Sequence, residues 1–122
     1  MNLKELLIYF LIFASIGCSK REDLFLQDGF KILRIYGDAH SIVTPTGHEL
    51  VMPNVVKVKD DENFIVGLRS KAEPAPSLPK GVNDQPYGYF IYDKKTKKII
   101  LGLTMEDFLN LKDEKGISLH LN

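Results

Sequence analysis

The chain has 122 residues, with 16 basic and 16 acidic side chains, 44% hydrophobic and 10% aromatic residues, no tryptophan and one cysteine. A formal net charge of zero removes the long-range attraction for phosphate backbones that supplies most non-specific nucleic-acid affinity, and the apolar content is that of a packed domain and not of a disordered chain. The lone cysteine excludes an internal disulfide, which leaves ordinary packing to stabilise the fold.

Residues 6–17 form a run of twelve uncharged, mostly apolar side chains. As a helix this run would rise about 18 Å, well short of a hydrocarbon core about 30 Å thick, so it makes a poor permanent span. A short basic start at Met1 and Lys4, an apolar stretch and small residues at its end make the pattern of an export signal, which is removed and excluded from the fold. Ser15-Ile16-Gly17-Cys18 resembles the lipobox of bacterial lipoproteins, with Gly17 and Cys18 matching it well and Ser15 standing where a larger aliphatic residue is usual. The resemblance implies that Cys18 carries acyl chains and becomes the first mature residue. Two or more chains are what stable membrane attachment requires.

The expected organisation is therefore a signal peptide over 1–17, a lipid-anchored charged tether over 18–23 and one globular domain over 24–122. The same resemblance implies a place on a bacterial membrane. In a host with two membranes, Ser19 after the cysteine implies the outer membrane, facing the periplasm; in a host with one membrane, the outer face of the cell membrane. The mature chain of 105 residues fits one domain with a thin core.

Residues 24–26 read as a short opening strand or as a segment that simply packs the chain entry, and Asp28-Gly29 as a turn. Residues 30–36 are β-branched and aromatic enough for a strand. Residues 40–43 and 48–52 read as a pair around the Thr44-Pro45-Thr46-Gly47 turn, in which proline presets the second position. Pro53-Asn54 interrupts before residues 55–59 and 64–68, two runs expected to be adjacent antiparallel strands joined by Asp60-Asp61-Glu62-Asn63. Residues 71–86 carry Pro74, Pro76, Pro79 and Pro86, which cannot occupy a central strand. Residues 87–92 and 98–101 form the clearest pair, with a five-residue loop compatible with a hairpin.

Thr104 reads as the N-cap of a helix, with Asp107 at its third position, Leu103 and Phe108 as a hydrophobic staple, and Glu106 and Asp107 favouring the positive helix start. Its expected buried face is Met105, Phe108, Leu109 and Leu111. Gly116 stops it, and Ile117, Leu119 and Leu121 then alternate as a final edge strand. The fold class expected is α+β: a small twisted antiparallel sheet of about five or six strands with one C-terminal helix. The stretch 89–99 followed by 102–108 looks like the hairpin-then-helix ending of small bacterial lipoproteins and toxin-immunity proteins, which supports the architecture and implies no catalytic role.

No motif for chemistry emerges. His40 and His48, with Asp38, would converge only if the Pro45 turn brought them together, and His120 stands apart; no tight His spacing or thiolate pair marks a metal site. Ser41 and His40 are adjacent on a strand and point to opposite faces, which argues against a nucleophile and base. Asp60, Asp61 and Glu62 lack the alternating positions of a calcium loop. Lys94, Lys95, Lys97 and Lys98 form the strongest basic cluster, suited to anionic lipid headgroups or simply to solvating a hairpin tip and protecting its edge.

Tyr87 and Tyr89 are expected on one sheet face and, with Pro76, Leu78 and Pro79, make a candidate protein-binding patch. The function expected is thus membrane-tethered and non-enzymatic, binding a protein or envelope component, with an immunity-like purpose as one form. Its expected partners are membrane lipid through acylated Cys18 and an envelope protein, with no nucleic acid, metal or cofactor. The rivals are a small envelope hydrolase or metal-dependent enzyme using His40 and His48, and a structural accessory of an envelope assembly.

Overall fold

The computed structural model describes residues 24–36, 39–71 and 80–121. The signal and tether readings, Cys18, Asp38, Pro76, Leu78 and Pro79 lie outside the described residues. The strands are β1 (Leu24–Phe25), β2 (Lys31–Tyr36), β3 (Ala39–Val43), β4 (Glu49–Val51), β5 (Val55–Asp60), β6 (Phe64–Arg69), β7 (Gly88–Asp93) and β8 (Lys98–Leu103), followed by the helix α1 (Met105–Lys115). A single 3-10 turn, Gln27–Gly29, separates β1 from β2.

The α+β class is the one expected, but the strands divide between two sheets. One has the order β1-β2-β3-β4 and the other β5-β6-β7-β8, every neighbour antiparallel and consecutive in the chain. The break falls at Pro53-Asn54. Proline has no amide to give a ladder, so the chain leaves the first meander there and starts a second.

The two sheets pack face to face. Phe30, Ile32, Ile42 and Val51 from the first meet Val55, Ile65, Phe90 and Tyr92 from the second. Val66 and Ile91, on the other face of the second sheet, pack against Phe108 of α1 and Ile117 beyond it. The second sheet is therefore a middle layer buried on both sides. That is why β6 and β7 read as near-continuous apolar runs: Ile65 and Phe90 serve one core, Val66 and Ile91 the other.

The helix begins as expected, with the Thr104 hydroxyl accepting from the Asp107 amide at 3.2 Å. It ends at Gly116 (φ 67°), whose amide donates back to the Lys112 and Asp113 carbonyls. Its buried face differs from expectation: Phe108 and Lys112 are buried and Leu111 is half-buried, whereas Met105 and Leu109 are exposed. The Lys112 ammonium lies 5.3 Å from the Phe108 ring centroid, so the aliphatic stem takes a place that an apolar residue would otherwise fill. Ile117, Leu119 and Leu121 pack onto the second core as alternation suggested, but as extended chain outside any ladder.

Candidate functional site

Four turns meet at one end of the sandwich: the Gln27–Gly29 turn and the connections β3–β4, β5–β6 and β7–β8. Each is built locally. Thr44 shapes the β3–β4 turn, its hydroxyl accepting from the His48 amide at 3.0 Å and lying 3.1 Å from the Thr46 hydroxyl. Asp61 accepts from the amides of Asn63 and Phe64 at 2.8 and 2.7 Å. Asp93 accepts from those of Lys95 and Thr96 at 2.9 and 3.2 Å. These are the side-chain-to-backbone turns that Asp and Thr favour.

Lys94 locks three of the four turns together. Its ammonium donates to Asp28 Oδ2 at 3.1 Å, Asp60 Oδ2 at 3.0 Å and the Asp61 carbonyl at 2.6 Å, and lies 5.4 Å from the Phe30 ring centroid. Asp60 also accepts from the Gln27 amide at 2.7 Å. The Lys94 side chain is 7% exposed and that of Asp60 10%, against 57% for Asp28. All three ammonium protons are used, so Lys94 is a clamp and has no donor left for a ligand.

Beside this clamp is a half-open cleft of about 540 Å³. Phe30 and Tyr92, edge to face with centroids 5.6 Å apart, form its apolar base. Thr44, Thr46 and His48 line one wall, Lys95 and Lys97 another, and Glu62 also borders it. The arrangement offers an aromatic surface, hydroxyls and mobile-stemmed cations around a concave space, which is the chemistry of a binding site.

The opposite end of the sandwich is closed by the chain itself. Arg69, with a side chain 2% exposed, donates from Nε to the Met52 carbonyl at 2.8 Å, from Nη1 to the Gln85 carbonyl at 2.5 Å and from Nη2 to Asp84 at 2.7 Å. The Tyr87 ring covers the guanidinium at 4.1 Å, and its hydroxyl donates to Asp84 at 2.9 Å. Gln85 adds two bonds, accepting from the Met52 amide at 2.7 Å and donating to the Leu50 carbonyl at 3.2 Å. The hydrogen bond from Arg69 holds the Asp84 carboxyl below its ordinary range, and the bond to Asp84 raises the Tyr87 hydroxyl.

The structure separates residues that the sequence reading had grouped. Tyr87 stacks on Arg69, whereas Tyr89 stacks on Phe108 at 4.7 Å under the helix, so the two do not share a face. Gly88 between them has φ 133°, a conformation that breaks strand alternation. His40 lies near the start of β3 and His48 just before β4, paired with Thr44 beyond the other end of β3; four strand residues at roughly 3.3 Å each separate the two by about 13 Å, so the turn does not bring them together. Ser41 is fully buried, its hydroxyl without a hydrogen-bond partner among the described residues. His120 is exposed on the C-terminal segment. Among the described residues, no group of three His, Cys, Asp or Glu is placed to hold a metal, and no helix is long and apolar enough to cross a membrane.

Asp60 and Asp61, read from the sequence as part of the polar connection between β5 and β6, are also bonded parts of the clamp. Neither Lys94 nor Arg69 was recognisable as a buried centre, because their side-chain partners lie 15 to 66 positions away. The one local signal was Arg69 itself, a charge closing the apolar run of β6.

No curated protein and no solved structure matches the chain. Residues 27–122 match the family described as protein of unknown function DUF3997, and the chain belongs to that family.

Proposed function

We propose that this protein is exported, anchored to a bacterial membrane through acylated Cys18, and binds a component of the envelope without transforming it. The observation that carries the binding half of this reading is the cleft between the β3–β4 and β7–β8 turns, with its aromatic base and ring of hydroxyl and ammonium groups. The anchoring half is supported by the sequence, where an apolar run too short to span leads into a cysteine and the charged residues 19–23. The two halves fit in space: Leu24 follows that tether directly, and four residues later Asp28 lines the cleft.

Mass measurement of the protein extracted from cell membranes tests the anchor, with loss of residues 1–17 and an acyl mass on Cys18 expected. An intact amino terminus with a free thiol overturns it. A photo-crosslinking side chain at Thr46 tests the binding half in native envelopes. Reproducible capture there, absent from the same probe at Lys80, is expected; equal capture at both positions overturns the cleft as the binding site.

A further inference from the structure

We propose that the component met by the open end is the membrane's own anionic headgroup layer, with Lys95, Lys97 and Lys98 touching lipid phosphates and the cleft receiving one headgroup. This rests on the tethered reading above and names its ligand.

The whole chain is neutral, but the β7–β8 tip is not. Lys95, Lys97 and Lys98 are all exposed, and of the nearby carboxylates all but the exposed Glu62 are held within the turns. Asp93 accepts two turn amides, Asp61 accepts two more, and Asp28 and Asp60 hold Lys94. With the Lys94–Asp28 pair set aside as part of the clamp, the cleft is lined by Lys95 and Lys97 against one carboxylate, Glu62. On the other side of the tip, Lys98 and Lys115 line a second groove. Asp113 and Glu114, also exposed near the end of α1, limit how far the positive surface extends along the helix. Exposed lysines are therefore concentrated at the hairpin tip.

Position points the same way. From Cys18 to Leu24 the chain can reach at most about 20 Å, and the turn that follows Leu24 is bonded through Asp28 to Lys94, next to the three exposed lysines. A lipid on Cys18 would hold this tip near headgroups, where each lysine is attracted only within about a Debye length, roughly 8 to 10 Å. A phosphate at the tip would meet Lys95 and Lys97, while the headgroup's carbon atoms would cover the aromatic base.

The test uses the mature chain from residue 18 with Cys18→Ser, so that neither an acyl chain nor the apolar run 6–17 can contribute, and measures co-sedimentation with vesicles of phosphatidylcholine alone or with about one third phosphatidylglycerol. Stronger binding to the anionic vesicles is expected, weakening with salt and falling about fivefold for each lysine neutralised in Lys95→Gln/Lys97→Gln/Lys98→Gln. Lys57→Gln/Lys71→Gln/Lys80→Gln changes net charge equally, lies away from the tip, and should retain the binding. Equal binding to both vesicle types, or equal loss in the two triple variants, overturns the proposal. Full competition by free glycerol phosphate would also overturn it, assigning the cleft to a soluble phosphate. Because the thiol is absent throughout, such a failure leaves the acyl anchor to be judged by the mass measurement alone.

Discussion

The two ends of the sandwich each bury a cation, and they use it differently. At one end Arg69 is met by two backbone carbonyls, a carboxylate and the face of Tyr87, so residues 84–87 are drawn over it and the end is sealed. At the other, Lys94 is met by two carboxylates and one carbonyl drawn from separate turns, which ties the turns together and leaves the space beside them open. The chemistry of the two groups explains the contrast. A planar guanidinium can bond at its edge and stack on its face at once, whereas an ammonium is a point charge that gathers oxygens around it. One end is organised for closure and the other for access.

The comparison can be broken most directly at the open end. Lys94→Met should cost about 3 kcal/mol by urea denaturation, since it leaves Asp60 charged and nearly buried; adding Asp60→Asn should recover part of the loss, because the stranded charge goes with it. No recovery in the double variant would show that packing, not charge, dominates there. Arg69→Met should cost about 2 kcal/mol, chiefly from the stranded Met52 and Gln85 carbonyls, with Asp84 adding little because its side chain is 40% exposed.

Tyr87→Leu should cost about 1 kcal/mol, the stacking over Arg69 being partly open to water. Lys95→Gln/Lys97→Gln should change stability by less than about 0.5 kcal/mol, as expected of exposed side chains away from structural contacts. A larger loss would mean that the rim of the cleft is structural.

The smallest effect is on pH dependence at the sealed end. The folded-state pKa of Asp84 lies below its ordinary value of 3.8, so its contribution to stability is present above that value and is lost as pH falls through the folded pKa. Tyr87 has the opposite sign: its folded pKa lies above 10.0, so its contribution is present below 10.0 and is lost as pH rises through the folded value. Denaturation midpoints of Asp84→Asn should therefore fall less steeply than wild type below pH 3.8, and those of Tyr87→Phe less steeply above pH 10.0.

Local signals in the sequence carried far. The Thr104 cap, the Gly116 stop, the Pro45 turn and the pairings of β5 with β6 and β7 with β8 all depend on residues close together in the chain, and each was readable from spacing. The helix's buried face was less so. Met105 and Leu109 share the apolar spacing of Phe108, but only the position of the helix on the sheet decides which of them finds a surface to cover. The tyrosines make the same point, since alternation put Tyr87 with Tyr89 and a left-handed backbone at Gly88 sent them to different neighbours.

The sequence by itself determined where most strands and the helix run, their order and the α+β class, because backbone preference and side-chain periodicity act over a few residues; it did not determine the number of paired strands, eight and not five or six, or that residues 117–121 join no ladder. Tertiary structure alone decided that the strands form two sheets with the second as a middle layer, that Lys94 and Arg69 are buried centres, and that one end is open. Those outcomes depend on hydrogen bonds and burial between residues distant in the chain, where the partner that satisfies a charge is set by packing and leaves no mark in the neighbouring sequence.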